Sequence, residues 1–521
     1  MVTNLKALAV VLFFAIAVFW LCKNICLRFM SEADFYRRRN VWIALTVVAF
    51  CSPSFWLYAL FAFPLMLWAS NKDENPVALY VLLLHVIPPD GLELPAIFIN
   101  RLFELNNYRI LALAVLIPTA WRLLQTKDKS SFGDHKMVDR FMWGYFVLQL
   151  AQVISYEDIT NTMRRGILLI LDVLLLFYVV SRSCNNKKRI TEVMAAYSLA
   201  CAIFIPIAVF ESLKLWLVYT GLTEVWGTRG SGGYLFRDGS LRALVSTGHS
   251  LQLGFLLAMA FGFWLYLSTH VQSNTQRILG SVVIWIALIA AYSRGPWLSA
   301  IVVFFAYIFF NPDGLQKLVK TLSVGFPVAL IIVMSPFGSK IIDKLPFIGK
   351  VDSFNVDYRE RIIDLSWVLI KEHPFLGDPF VFTRMESLRQ GEGIIDIVNV
   401  YASTALFYGY VGLFLFLGPL IIGIISIWKQ RRKVIKTDVD LSLIGAALLA
   451  CILGTLLFIA TASFMFGLPK IYYLLAGLAA AYGQLKQPVA QQYPGSNEQK
   501  GPQFVRNRKN LVLAHARPQQ H

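Results

Sequence analysis

The stretch Leu441–Ala460 reads L-S-L-I-G-A-A-L-L-A-C-I-L-G-T-L-L-F-I-A and contains no charged residue. A helix of about 20 apolar residues is about 30 Å long, which matches the hydrocarbon core of a bilayer. Comparable apolar runs recur along the 521-residue chain, in which 57% of the residues are hydrophobic and 15% are charged. Soluble domains carry about 25% charged residues. The sequence therefore predicts an all-α fold, a polytopic membrane helix bundle of about 13–15 spans.

Two apolar stretches leave the number of spans open. The S-P-S sequence at 52–54 either splits the stretch Val41–Ala69 into two short helices or lies within one tilted helix. The stretch Val398–Trp428 is long and contains glycines, so we expect a kink near Gly409 and Gly412.

The distribution of basic residues predicts the orientation of the chain. The formal net charge is +17, and most Lys and Arg residues fall in loops that can all be cytoplasmic if the spans alternate. This explains the positive charge without a nucleic-acid partner. The segment Gly221–His249, the corner at Arg294 and the loop Pro336–Ile397 then lie outside. We expect residues 1–485 to form the transmembrane domain and residues 486–521 to be a disordered basic cytoplasmic tail.

The long outer loop, 336–397, has a helical pattern of its own. Asp357–Lys371 is predicted to be a helix with Asp357 as its N-cap. One face carries an apolar stripe at helical spacing, formed by Tyr358, Ile362, Leu365 and Leu369. The loop is therefore expected to be a large, partly helical periplasmic element that lies over the bundle at the membrane interface.

A glycine- and serine-rich run before one span carries several basic side chains. Arg229, Arg237, Arg242 and His249 occur within Gly221–His249. Arginine presents a planar fork of donors that suits phosphate, and glycines let backbone N–H groups approach an anion. Arg242 is either a phosphate ligand or an interfacial residue whose head group reaches water. His249 is either a general base or the cap of the next helix.

Two ionisable residues lie at or within spans. Arg294 stands between two apolar runs on the predicted outer side, where basic residues are not needed to fix the orientation of the spans. The tight turn at Gly295 and Pro296 would direct its side chain inward. Asp172 is near the middle of its apolar run. It either neutralises one of the arginines, which we favour, or relays protons, which would indicate a transporter.

The outer loop contributes the third group of candidates. Arg359 and Arg361 stand two apart on the predicted helix, so they point to different faces. Arg389, Glu392 and Asp396 lead towards the next span. With the upstream arginines they form a cationic set at the outer face.

This set predicts a ligand and a reaction class. The sequence has no Walker motif, dinucleotide-binding fingerprint or metal-ligand spacing, so no cofactor or metal is expected. Arginines beside a lipid-accessible bundle suit a lipid-linked phosphate or pyrophosphate. Cationic groups can stabilise the charge that grows on such a leaving group, and a weak base near the acceptor hydroxyl would complete the transfer.

Several short motifs resemble a known family. R-A-L-V-S-T-G-H at 242–249, S-R-G-P-W-L at 293–298 and L-R-Q-G-E-G-I-I-D-I-V-N at 388–399 look like the bacterial O-antigen ligase and polysaccharide polymerase superfamily. The last motif is similar to the exopolysaccharide (Wzy-type) polymerase branch. By this resemblance the family's phosphate-binding arginines correspond to Arg242 and Arg294, and its outer-loop arginine to Arg359 or Arg361.

The resemblance implies a metal-independent glycosyltransferase. Its substrate would be a polyprenyl-pyrophosphate-linked oligosaccharide, such as an undecaprenyl pyrophosphate carrier, polymerised into exopolysaccharide or O-antigen. The protein would be a multi-pass protein of the bacterial inner (plasma) membrane, with its active site facing the periplasm. Partners would be membrane lipid, a flippase and a chain-length regulator.

One position departs from the ligase pattern. Ligases of this family have a His-Asn pair at the start of the span after the large loop, where this chain has Val398 and Asn399. The general base therefore stays open between Asp396, His249 and a water positioned by Asn399. The alternatives to a polymerase are a ligase that transfers glycan to lipid A, a flippase or other transporter of lipid-linked oligosaccharide, and a scaffold for an export complex.

The residues expected to act in catalysis are Arg242, Arg294, Asp396, Asn399 and His249. The residues expected to bind substrate are Arg359, Arg361, Arg389 and Tyr401.

Overall fold

The computed structural model describes residues 2–94, 103–125, 136–228, 233–237, 239–335, 353–390 and 393–485. The predicted cytoplasmic tail, 486–521, lies outside the described residues, so the division into a transmembrane domain and a tail stays a prediction.

The described chain is almost entirely helical. The helices, in order, are α1 (Val2–Cys26), α2 (Glu32–Cys51), α3 (Phe55–Lys72), α4 (Pro76–Leu83), α5 (Asn107–Leu111), α6 (Ile117–Gln125), α7 (Lys136–Ile154), α8 (Ile159–Leu169), α9 (Leu175–Ser183), α10 (Lys187–Lys214), α11 (Thr220–Trp226), α12 (Ser250–Leu267), α13 (Asn274–Ala290), α14 (Arg294–Phe310), α15 (Gly314–Met334), α16 (Ser353–Glu372), α17 (Val400–Val434), α18 (Val439–Ile459) and α19 (Leu468–Gly483).

Short elements complete the described structure. One π-helical turn, Ala112–Leu116, joins α5 to α6, and a second, Ile170–Leu174, joins α8 to α9. The 3-10 turns are Ser268–His270, Val381–Arg384 and Glu386–Leu388. Two antiparallel hairpins pair β1 (Gly91–Glu93) with β2 (Glu104–Asn106) and β3 (Phe236–Arg237) with β4 (Ser240–Leu241).

Six helical stretches in the described part of the chain are long and apolar enough to cross a membrane. They are Thr3–Cys26, Ile159–Ser183, Lys187–Lys214, Ser250–His270, Val400–Val434 and Val439–Ile459. Asn274–Ala290 and Arg294–Phe310 are shorter apolar helices. The prediction of an all-α polytopic membrane bundle is confirmed.

The chain between α2 and α3 is broken at the S-P-S sequence. α2 ends at Cys51, and the backbone of Ser52 is extended. The side chain of Ser54 then caps α3 by accepting a hydrogen bond from the backbone N–H of Leu57 at 3.3 Å. Because Pro53 has no N–H to continue a helix, the stretch forms two helices and not one tilted helix.

The predicted kink in α17 is confirmed at Gly409. This residue has φ 64° and ψ −169°, a conformation that favours glycine. A Cβ atom here would lie 2.2 Å from the carbonyl carbon of Phe375. The N–H of Tyr410 bonds instead to the carbonyl of Pro374 at 2.7 Å. The break therefore lets the outer-loop segment that follows α16 pack against α17.

The centre of the bundle is formed by α12, α14, α18 and α19. α18 packs along both α14 and α12, and α19 packs against α9 and α17. Phe255 of α12 stacks on Phe458 of α18 with 4.4 Å between ring centroids. Small residues let the helices approach: a Cβ atom on Gly262 would lie 2.4 Å from the sulfur of Cys451.

Loops predicted to be cytoplasmic contact one another at one end of the bundle. Arg38 makes a bidentate ion pair with Asp73, at 2.6 and 2.9 Å, and an ion pair with Glu192 at 2.8 Å. Lys187 bonds to Asp438 and Asp440. These contacts lie in or next to loops predicted to be cytoplasmic, and the orientation of the chain stays a prediction.

The outer-loop helix differs from its prediction at the start. α16 begins at Ser353, four residues before Asp357, so Asp357 is within the helix and the N-cap prediction was wrong. The predicted apolar stripe is confirmed: Tyr358, Ile362 and Leu369 are buried. They pack with residues such as Val381 and Ala405 in a separate small core between α16, the 3-10 turns and α17.

Candidate active site at one end of the bundle

The segment before α12 holds Arg242 in a tightly bonded backbone. Its N–H donates to the carbonyl of Leu235 at 2.9 Å, across the β3–β4 hairpin. The next N–H, of Ala243, donates to the carbonyl of Ala290 at the end of α13, at 3.1 Å. Arg242 is therefore placed by two elements that are far apart in sequence.

The guanidinium of Arg242 lies in a cationic, partly buried setting. Burial and the neighbouring Arg237 lower the pKa of Arg242 to about 10. Its Nε atom is buried and has no hydrogen-bond partner in the described part of the chain. No carboxylate among the described residues lies within ion-pair distance of it. Since a buried polar donor is costly to leave unpaired, an anionic ligand would stabilise this group.

Arg294 is the first residue of α14, as the sequence predicted for the start of a span. It lines a small recess together with Arg237, Tyr292 and Trp297. Arg237 donates to the carbonyl of Tyr292 at 3.4 Å, and the Trp297 indole N–H donates to the carbonyl of Leu288 at 2.7 Å. Thus the structure brings Arg237 to Arg294 and also sets Arg237 beside Arg242.

His249 caps α12, and its ring is neutral at physiological pH. Its Nδ1 accepts from the backbone N–H of Leu251 at 3.1 Å. Burial and the charge of Arg242 lower the pKa of His249 to about 4. The ring stacks on Phe466 with 6.4 Å between centroids. Because Nδ1 accepts the capping bond, the imidazole is in the tautomer that carries its proton on Nε2.

Asp396 is positioned by Ser463 and Tyr358, neither of which was expected to be a site residue from the sequence. The hydroxyl of Ser463 donates to the carboxylate of Asp396 and also to the carbonyl of Ile397 at 3.3 Å. The backbone N–H of Asp396 donates to the hydroxyl of Tyr358 at 3.1 Å. Burial lowers the pKa of Arg359, and the nearby carboxylate of Asp396 opposes that shift. Of the two outer-loop arginines, Arg359 is therefore the one set beside Asp396.

The loop between α18 and α19 joins the three groups of candidates. Ser463 holds Asp396, and Phe466 covers His249. A Cβ atom on Gly295, next to Arg294, would lie 3.0 Å from the hydroxyl oxygen of Thr461. This loop has no charged residue. Its sequence therefore indicated a role in the site only through its position, after a span that is predicted to end on the outer side of the membrane.

Replacing Ser463 with alanine tests this link. We expect the free energy of unfolding to fall by about 1.5 kcal/mol, because the Asp396 carboxylate loses a charge-assisted hydrogen bond. Thermal unfolding of the purified protein measures the change. Ser387→Ala, at an exposed serine in a 3-10 turn, is the matched control. Equal stability of the two variants would contradict the contact.

Strained backbone concentrates around these residues. Val245, Tyr292 and Phe466 have φ values of 50°, 45° and 49°, in the left-handed region that non-glycine residues seldom adopt. Each such residue costs about 1–3 kcal/mol and persists only where the surroundings fix it. All three adjoin the arginines or His249, a pattern typical of functional sites.

The other predicted site residues have structural contacts. Asn399 caps α17 by accepting from the N–H of Ala402 at 3.1 Å. The hydroxyl of Tyr401 donates to the carbonyl of Leu456 at 2.6 Å. Exposed Arg389 pairs with Glu386 at 2.6 Å. Arg361 is exposed on α16. The catalytic or substrate-binding roles expected for these four residues therefore stay predictions.

Arg229 and Glu392 lie outside the described residues, so the structure does not test them. Among the described residues there is no group of three or more His, Cys, Asp or Glu side chains that could hold a metal ion.

The favoured pairing of Asp172 is confirmed. Its carboxylate bonds to Lys470 at 2.5 Å and to Arg109 at 3.0 Å. It stands in the π-helical turn between α8 and α9, and Lys470 is in the first turn of α19. The partners are therefore two basic residues that the sequence analysis did not single out, and not one of the candidate arginines.

One comparison with known proteins gives a match. Residues 279–417 match the family model described as O-antigen ligase. This range includes Arg294, Arg359, Asp396 and the kink at Gly409, but it ends before the α18–α19 loop and excludes Arg242. No curated protein matches the chain.

The match supports an enzyme of the O-antigen ligase or polymerase type in a multi-pass membrane protein. Residues 279–417 thus form an O-antigen ligase-like domain, which supports placing the chain in the O-antigen ligase and polysaccharide polymerase superfamily.

Proposed function

We propose that this protein polymerises polyprenyl-pyrophosphate-linked oligosaccharide repeat units at the periplasmic face of the plasma membrane. The observation that carries the proposal is the guanidinium of Arg242. It is largely buried, lies beside Arg237, and has no carboxylate within ion-pair distance among the described residues. Such a group favours a dianionic ligand, and a lipid-linked diphosphate can reach it from the bilayer.

In the proposed reaction, a hydroxyl oxygen of the acceptor sugar forms a bond to the anomeric carbon of the donor. The bond from that carbon to the diphosphate oxygen breaks, and its electron pair leaves with the lipid diphosphate. Arg242 and Arg294 stabilise the negative charge that develops on this leaving group. The acceptor's proton passes to a base, so no metal or other cofactor is required.

Two side chains of the site can take that proton. His249 is neutral, and its pKa of about 4 makes it a weak base. The carboxylate of Asp396 accepts a hydrogen bond from Ser463 and lies near Arg359. Asn399 uses its side-chain oxygen to cap α17, which leaves its amide N–H group to orient a water. The proposal does not depend on which of these acts.

The second candidate function is ligation of finished glycan to lipid A. The family model is described as O-antigen ligase, which favours it. Val398 occupies the position where the resemblance predicts a histidine in ligases, which favours the polymerase. A transporter would need ionisable groups through the depth of the bundle, whereas Asp172 is paired on both oxygens.

Deletion of the gene separates the three functions. Loss of a polymerase should leave single, already translocated repeat units outside the cell membrane, and a plasmid copy should restore long chains. Lipid-linked long chains that fail to reach lipid A would indicate a ligase. Single units trapped on the cytoplasmic face would indicate a flippase and would overturn the proposal. Gel separation of extracted glycans, with lectin or antibody access in intact spheroplasts, measures all three.

A further inference from the structure

We infer that Glu211 is a positioning residue that fixes the backbone presenting Arg242. The activity measurement that tests this inference rests on the proposed function, whereas the hydrogen bonds that support the inference do not. Glu211 is in the last turn of α10 and is 0% exposed to solvent.

The carboxylate of Glu211 bonds to backbone donors from two segments. One oxygen accepts from the N–H of Val218 at 3.0 Å. The other accepts from the N–H groups of Leu244 and Val245, at 3.0 and 2.9 Å. In the described chain no Lys or Arg forms an ion pair with it. A buried carboxylate whose contacts are all with backbone N–H groups stabilises a backbone conformation and does not neutralise a cation.

The segment that it holds is strained. Val245 has φ 50°, and a β-branched residue in this region is a clear outlier. The next residue, Ser246, is also fixed, because its hydroxyl donates to the carbonyl of His85 at 2.5 Å. Without the Glu211 carboxylate to accept from the N–H groups of Leu244 and Val245, Val245 would relax to a conformation with negative φ. Arg242 stands three residues before Val245, so such a relaxation would redirect its guanidinium away from Arg237 and His249.

The bonds of Glu211 also oppose a repulsion between the neighbouring arginines Arg237 and Arg242. Burial and the positive charge of Arg237 both lower the pKa of Arg242, so the two guanidinium groups repel one another. The bonds of Glu211 to the turn oppose that repulsion through the backbone, and they leave the side-chain donors of Arg242 available to a diphosphate. Glu211 therefore acts on substrate through Arg242.

The test is a double-mutant cycle on the full-length protein in detergent or nanodiscs. Glu211→Gln replaces one acceptor oxygen by a donor, and we expect kcat/KM for the lipid-linked donor, per folded molecule, to fall about tenfold. Val245→Gly permits positive φ without strain. In that background we expect Glu211→Gln to lower kcat/KM only about threefold. Glu224→Gln, at an exposed glutamate of α11, is the charge-matched control.

An equal effect of Glu211→Gln in both backgrounds would overturn the inference, as would a loss confined to the amount of folded protein. Hydrogen exchange gives a readout that does not need activity. The amides of Leu244 and Val245 should exchange faster in Glu211→Gln than in wild type. Unchanged exchange overturns the role of Glu211, whereas wild-type protein that does not polymerise lipid-linked oligosaccharide overturns the proposed function alone.

Discussion

Replacing Arg242 with lysine is expected to lower polymer formation about 100-fold while leaving the protein folded in the membrane. The charge is kept, but the planar fork that can hold two diphosphate oxygens is lost. The ammonium group would also place its charge at a different point from the buried Nε of the arginine. The measurement is the yield of polymer from lipid-linked repeat units by purified protein.

Arg294→Lys should have a comparable effect, because Arg294 lines the same recess as Arg237. Arg384→Lys provides the matched control, since Arg384 is exposed and already pairs with Glu372. It should retain near wild-type activity. If Arg242→Lys and Arg294→Lys were both as active as the control, bidentate recognition of the diphosphate would be untenable.

Replacing Asp172 with asparagine is expected to lower the free energy of unfolding by about 3 kcal/mol, because it leaves buried Lys470 without its carboxylate. The side chain of Lys470 is 4% exposed and that of Asp172 is 24% exposed, so the larger penalty falls on the lysine. Arg109 keeps one further contact, with the carbonyl of Glu104. Thermal unfolding in detergent measures the effect.

A double variant distinguishes pairing from proton relay at Asp172. If the carboxylate serves to compensate charge, Asp172→Asn with Lys470→Met should recover most of the stability lost in the single variant. A relay predicts the opposite pattern, in which Asp172→Asn is as stable as wild type and loses activity. That outcome would reopen the transporter interpretation.

The fold was predictable where the sequence alternates between apolar runs and basic loops. The length and composition of Leu441–Ala460 sufficed for a spanning helix, and α18 covers Val439–Ile459. Gly409 was predictable as a kink, because glycine removes the steric penalty at positive φ. The start of α16 was not predictable, because Asp357 is a good N-cap by residue type alone and nothing local excludes four more helical residues before it.

The candidate site was predictable only in its charged members. Arg242, Arg294 and Asp396 stood out because arginine and aspartate are rare beside apolar runs. Ser463, Phe466 and Glu211 were missed for different reasons. Ser463 and Phe466 are ordinary loop residues whose contacts depend on tertiary packing. Nothing in the sequence around Glu211 marks it, because its role depends on a segment more than 30 residues later in the chain.

The central claim is that arginines from separate parts of the chain surround one lipid diphosphate. Cryo-electron microscopy of the full-length protein in nanodiscs with undecaprenyl diphosphate tests it most directly. We predict diphosphate density in contact with the guanidinium groups of Arg242 and Arg294, beneath the α18–α19 loop. Density for the diphosphate at another place, with both arginines in contact only with protein or bulk water, would contradict the account.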